Sequence, residues 1–366
     1  PAPSRPIAGS MAGPGLLSFI LVSKFDDHLP LYRLSEIFAR QGADIPDTTL
    51  ADWCGRAMRV LKPLSDLIGK EVLASNLLHV DDTPIRVLDR SVRQGELGKG
   101  VSQGRIWTYI RDQRPWAGPA PPGAVYFFSP DRKGEHPQRH LKDSAGILQA
   151  DAYTGFTELY RPGPGVEELR FREAACWAHL RRDFHDVWTS EKSEIAREAL
   201  DRIGALYDIE AKIHGRSAEE RLTVRQAHSK PRAEAFRTWA EDQLRHISGK
   251  SELAQAFRYA LRRWSSFCLF LEDGRVSIDN NAAERGMRPI GVGRRNWLFA
   301  GSHAGGETMA RALTLIESAK LNGINPQAYL ADVLARINDH KINRLGELLP
   351  WNWTPLNPGA ADKIAA

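Results

Sequence analysis

Between Leu16 and about Ser75 apolar residues recur at three- and four-residue intervals, the period of helices with one buried face. The runs LYRLSEIFARQG and LADWCGRAMRVLKPL predict two helices separated by ADIPDTT, with Thr48 or Thr49 capping the second. That outline fits a DNA-reading helix-turn-helix, whose second helix lies in the major groove, and it equally fits an ordinary helical hairpin. From Leu77 to His179 the pattern changes to short apolar runs broken by Gly and Pro. LLHVDDTPIRVLD, GRIWTYIRD and AVYFFSP predict three successive strands, GEHPQRHLKD a helix, GILQADAYTG a strand, TGFTELY a helix and REAACWAH a last strand. Together they describe an α/β domain, a mixed sheet with helices packed on it. From about Leu180 to Phe270 the helical period returns, with Ile195, Ala199, Ile203 and Leu206, then Leu253, Phe257, Leu261, Trp264 and Cys268. Ser217 and Glu220 stand at the spacing of a capping box. A further helical block, GGETMARALTLIESAKLNG, ends on Gly323, and Asn325-Pro326 opens another helix through about Asn338.

The boundaries that follow are a linker plus a helical region with a DNA-binding outline over 1–75, and the first part of a sheet-based core over 76–188. A helical insertion covers 189–270, the second part of the core 271–324, and a C-terminal helix and tail 325–366. Residues 1–15 are rich in Pro, Gly, Ala and Ser, and the chain begins with Pro, so the expectation is a piece of a longer protein.

Composition adds exclusions. Lys and Arg number 50 against 45 Asp and Glu, an excess of 5 that permits a polyanionic partner without demanding one. Cys54, Cys176 and Cys268 are scattered and odd in number, which argues against a disulfide framework and for a reducing cytoplasm. No apolar run is long enough to span a bilayer, and the first residues lack the order of a signal peptide, so no membrane role is expected.

The candidate chemistry lies on carboxylates. Asp81 sits at the exit of an apolar strand beside Asp82, where a carboxylate either opens a turn or holds a cation, and its neighbour points to the opposite face. Asp151 follows the strand GILQA, as a ligand or as a helix cap. Glu284 falls in the first turn of a short helix in SIDNNAAERGMRPIGVGRRNWLFAG, where it either complements the helix dipole or coordinates a metal. Arg285, Arg288, Arg294 and Arg295 follow it, as a solvated basic face or as phosphate contacts. Three carboxylates suit two hard divalent cations and in-line displacement at phosphorus. In CWAHLRRDF, Cys176 and His179 have zinc-like spacing but lack a second pair. His179 at a strand end near the metals reads as a proton shuttle or phosphate contact, or as a structural histidine, with Arg181 and Arg182 in phosphate reach.

HVDDTP, SPDRKGEHP, LQADAYTGF, CWAHLRRDF, IDNNAAERGMRPIGVGRRNWLFAGS and AKLNGINPQAYLADVLARI resemble the bacterial insertion-sequence family sixty-six transposases, from about Arg5 to Trp353. The resemblance implies a ribonuclease-H-like catalytic core with a helical insertion and a DDE triad, falling by motif on Asp81, Asp151 and Glu284. It implies two Mg²⁺ or Mn²⁺ ions, cleavage of double-stranded DNA at element ends and strand transfer to a target by the 3′-hydroxyl. It further implies a homo-oligomer on DNA and small accessory proteins of the same element. Two departures stand out. The family's cysteine-rich, zinc-finger-like segment does not precede these motifs here, and Asp82 replaces a Glu common after the first Asp.

Overall fold

The computed structural model describes residues 5–92, 97–151, 153–162 and 169–356. Four helices come first: α1 (Pro14–Phe25), α2 (Leu31–Arg40), α3 (Asp47–Val60) and α4 (Lys62–Leu73). Then follow β1 (Leu77–Leu88), β2 (Val101–Arg111), β3 (Gly123–Ser129), α5 (Glu135–His140), β4 (Gly146–Gln149) and β5 (Phe171–Ala174). The helical insertion holds α6 (Trp177–Glu191), α7 (Glu194–Ile213), α8 (Ala218–Val224), α9 (Lys230–His246), α10 (Glu252–Arg262) and α11 (Trp264–Glu272). The chain returns to the sheet through α12 (Asn281–Trp297), α13 (His303–Leu321) and α14 (Pro326–Arg336).

The five strands form one mixed sheet in the order β3-β2-β1-β4-β5. β1 pairs antiparallel with β2, and β2 with β3, while β1, β4 and β5 run parallel. Edge strand β3 would expose a ladder of unpaired amides, but α13 covers it. The Ala124 and Tyr126 amides donate to Ser318 Oγ (3.1 Å) and Thr314 Oγ1 (3.0 Å), and Ser318 Oγ donates back to the Ala124 carbonyl.

Two hydrophobic cores result. One joins α1, α3, α4, α13 and α14 to the faces of β1–β3, around Leu64, Ile106, Trp107, Tyr109, Leu315 and Tyr329. The other lies inside the insertion, where Trp177 is fully buried and its ring meets Phe236, Trp264, Phe267 and Phe270 edge-on. Its indole N–H donates to the Phe267 carbonyl at 2.9 Å, which removes the cost of burying it. Serines open three of its helices. Ser193, Ser217 and Ser251 accept from amides three residues on, and Ser217 with Glu220 forms the capping box anticipated from spacing.

The structure corrects several boundaries. The second helix of the N-terminal pair begins at Asp47 after Pro46, so neither Thr48 nor Thr49 caps it; the proline fixes the entry instead. Its solvent face carries Asp47, Asp52 and Arg59, with Arg56 partly exposed beside them. TGFTELY is a 3₁₀ helix, Thr154–Tyr160. REAACWAH is not one strand: β5 stops at Ala174 and α6 starts at Trp177, placing His179 in a helix's first turn. The segment around Glu284 is no short turn but a 17-residue helix that carries Pro289 inside it.

Candidate metal and phosphate site

The site forms where α12 is laid across the sheet. Asn280, at the start of α12, spends its side chain on β1 rather than on its own helix. Its Nδ2 donates to the Val80 carbonyl (2.8 Å) and its Oδ1 meets His79 Nδ1 (3.1 Å). Cys176 Sγ accepts the Asn280 amide at 3.2 Å, and Gln149 Nε2 donates to the Ser277 carbonyl at 2.6 Å. Farther along, the Tyr126 hydroxyl donates to the Gly286 carbonyl (2.7 Å), where a Cβ would come within 2.5 Å of Ile110 Cδ1. Arg294 Nη1 donates to the Pro84 carbonyl at 2.6 Å. These ties hold α12 to β1 on both sides of Glu284.

The adjacent aspartates of β1 have opposite fates. Asp82 has no exposed side-chain surface and lies between Arg105 Nε (2.5 Å) and the Arg132 guanidinium, which reaches it through Nε (3.1 Å) and Nη2 (2.8 Å). Asp81 turns the other way. Its Oδ1 accepts the Asp82 amide at 2.8 Å, and its acidity falls: burial, then the charge of Asp151, with smaller parts from Asp82 and Glu284, pushes its carboxyl up to about 7. Asp151, just past the end of β4, is also raised, by burial first and then by Asp82. Arg132 offsets this from 3.9 Å while stacked 3.8 Å over the Tyr153 ring, whose hydroxyl donates to the Arg132 carbonyl.

Glu284, in the first turn of α12, lies near enough for its charge to reach Asp81. His179 Nε2 and Arg182 Nη2 each stand 3.7 Å from its carboxylate, too far for hydrogen bonds. Glu284 Oε1 and His179 Nδ1 are both buried without a partner. Orphaned atoms of this kind, beside a carboxyl raised by its neighbours, fit a site that takes a cation. Asp81, whose shift carries parts from Asp151 and Glu284, ties these three carboxylates to one region.

Cys176, His179 and Glu284 also bring ligand atoms within 4.8 Å of one another, which supplies the third member that the C-x-x-H spacing lacked. Burial pushes the Cys176 thiol up to about 12, and its sulfur accepts the Asn280 amide. Asp131, Glu135 and His136 form another such group, but there Asp131 is spent on His136 (2.6 Å) and Lys133 (3.2 Å), fastening the turn that carries Arg132.

The arginines divide. Arg181, Arg182, Arg285, Arg288 and Arg295 are exposed, whereas Arg294 is engaged as the brace on β1. Sequence reasoning passed over Arg132, Arg105 and Asn280. The signals were present in SPDRKG and DNN, but partners 50 and 200 residues away cannot be read from spacing.

A strand carboxylate, a second just past the neighbouring strand's end and a third on a crossing helix stand on a mixed α/β framework. The chain belongs to the IS66 transposase family. Residues 9–308 match the transposase IS66 family and residues 314–351 the IS66 C-terminal element. Relatives in Sinorhizobium fredii (strain NBRC 101917 / NGR234) include the uncharacterized protein y4hP, 45% identical over 365 residues (96% of this chain, 64% of that protein). The uncharacterized proteins y4jD and y4qI of the same strain are 40% and 37% identical, over 99% and 97% of this chain and 70% and 65% of their own lengths. The chain therefore spans less than two thirds of y4hP and y4qI. No solved structure matches it.

Proposed function

We propose that the protein is a DNA transposase that cuts element ends and joins the freed 3′-hydroxyl to target DNA through a DDE triad of Asp81, Asp151 and Glu284. The observation that carries this reading is that Asp81 on β1 lies close enough to Asp151 and Glu284 to feel both charges, which add to burial in pushing its carboxyl up to about 7. The three carboxylates come from different elements, β1, the end of β4 and α12. Three antiparallel strands continued by two parallel ones support a ribonuclease-H-like reading of the sheet. Asp81, Asp151 and Glu284 would hold two Mg²⁺ or Mn²⁺ ions, which would supply activation of a water or 3′-hydroxyl and stabilisation of the leaving oxygen.

The chain's own residues do the rest. Asp81, rather than the arginine-bound Asp82, is the β1 ligand. His179, 3.7 Å from Glu284, would contact the scissile phosphate or shuttle a proton. Arg181, Arg182, Arg285, Arg288 and Arg295 take backbone phosphates, and Arg294 keeps α12 in register with β1. A homo-oligomer would bring two element ends together, and small proteins of the same element would be its accessories. No helix among the described residues is long and apolar enough to cross a membrane.

The test is Mg²⁺-dependent joining of a labelled element end into a plasmid. Joined product supports the transposase reading, and nicking without joining points to a hydrolytic nuclease. DNA binding with no metal-dependent cutting points to an inactive remnant. Glu284→Gln should cut at least about a thousandfold more slowly, in the range expected for removing a catalytic group, while DNA binding stays near the unmutated level. Retained cutting in that variant refutes the triad.

A further inference from the structure

A second polar cavity, of about 280 Å³, lies between the first turn of α12 and helices α7 and α8 of the insertion. Arg221 lines it from α8, with only 2% of its surface exposed. Its Nη2 stands 3.4 Å from Glu210 Oε2, while its Nε and Nη1 are buried without partners. Glu210 cannot satisfy it, because Arg225 already holds that carboxylate by two short bonds, Nε to Oε1 at 2.7 Å and Nη2 to Oε2 at 2.6 Å. Arg225 also donates Nη1 to the Phe270 carbonyl at 2.9 Å, so its own needs are met. Two buried guanidiniums thus share one carboxylate. The effect on Arg221 is visible: burial, then the charge of Arg225, lowers it to about 10.

The rest of the lining does not cancel this charge. Arg285 reaches the same cavity from α12. The Asp279 carboxyl is pushed up by burial, and its oxygens accept from the Asn281 amide (3.1 Å) and Asn281 Nδ2 (2.8 Å). Burial holds His79 neutral, near 4. Arg221 and Arg285 in the lining are matched in number by Glu210 and Asp279, but Arg225, which does not line the cavity, holds Glu210 from outside it, and this leaves one positive charge in excess. A buried guanidinium without a counter-ion of its own is costly, and an anion with several oxygens relieves that cost.

We infer that this cavity binds a phosphate oxyanion, supplied in the reaction proposed above by a backbone phosphate of the DNA strand next to the one being cut. Arg285 directly follows Glu284 on α12, so a strand crossing Glu284 brings a neighbouring phosphate to the cavity mouth. The anion site itself does not depend on the transposase reading; its assignment to DNA does.

The experiment has two arms on the full chain. The first compares melting in inorganic phosphate and in chloride at equal ionic strength. Phosphate should raise Tm as a ligand of the folded state, and the rise should vanish in Arg221→Met and shrink in Arg285→Gln. Arg197→Gln, exposed on α7 and outside the cavity lining, should keep the whole rise, and Arg285→Gln serves if Arg221→Met does not fold. The second arm measures DNA affinity against salt for the same variants. Arg221→Met and Arg285→Gln should each lower the salt slope by about one. A phosphate rise with unchanged DNA slopes in both variants means the cavity serves free phosphate, and it overturns the strand assignment. No phosphate rise in the unmutated protein overturns the site altogether. Phosphate binding in a preparation that neither cuts nor joins DNA sinks the transposase reading and leaves the cavity standing.

Discussion

The core under β1–β3 and the core around Trp177 are assembled by different means. The first is a sheet whose strands carry unbroken buried runs, covered on both faces, and whose edge is closed by hydroxyls from α13. The second is a cluster of aromatic rings inside serine-capped helices, touching the sheet mainly through Leu77, Ile147 and Ala174. The candidate site stands on the seam. Asp81 comes from a strand of the first core and His179 from a helix of the second. α12 links the two, since Met287 and Ile290 pack in the first core while Ile278, just before the helix, packs in the second. At such a seam register is set by buried polar contacts rather than by oil. Asn280, Gln149 and Cys176 provide them, and a slip there would move Glu284 away from Asp81.

Breaking one core should show how far the other depends on it. Trp177→Ala removes the centre of the aromatic cluster and should cost about 3–5 kcal/mol. Denaturant unfolding gives the value, and limited proteolysis should cut α7–α10 before it cuts the sheet. Simultaneous cleavage of both would mean that the cores do not separate.

Relieving the seam should have the opposite sign. Asp81 is raised from 3.8 to about 7 in the folded, metal-free protein, so its ionised form destabilises the fold. The penalty is complete above about pH 7, declines as pH falls and disappears below about pH 4, where both states are protonated. Asp81→Asn, which keeps an acceptor for the Asp82 amide, should therefore stabilise the metal-free protein at pH 8 by at most about 4 kcal/mol. The gain should fade towards pH 4. A gain that grew on acidification would contradict the assigned environment.

Unfastening the seam is the smallest change. Asn280→Ala leaves the Val80 carbonyl unpartnered and should cost about 1–3 kcal/mol. It should also weaken metal binding, which a surface substitution such as Ser217→Ala would not do. Equal metal affinity in Asn280→Ala would show that Glu284 is placed by something else.

Much of this was legible in the chain. Ile195, Ala199, Ile203 and Leu206 announced a helix by their spacing, Ser217 with Glu220 announced its neighbour's cap, and the strands of the sheet followed from apolar runs between Gly and Pro. The boundary between β5 and α6 was hidden because Ala-Ala-Cys-Trp is apolar on both sides of it. The length of α12 was hidden by Pro289, Gly291 and Gly293, which read locally as breakers. Tyr126 and Arg294 override them through tertiary bonds. The motifs named the three carboxylates, but the sequestration of Asp82 depends on Arg105 and Arg132, which come from other elements.

The most direct measurement is Mn²⁺ binding to the full chain at pH 8, by calorimetry with electron paramagnetic resonance as a check. Two ions should bind the unmutated protein, and Asp81→Asn, Asp151→Asn and Glu284→Gln should each lose at least one, while Asp82→Asn, if folded, should lose none. Unchanged stoichiometry in the three triad variants, or loss confined to Asp82→Asn, would contradict the site.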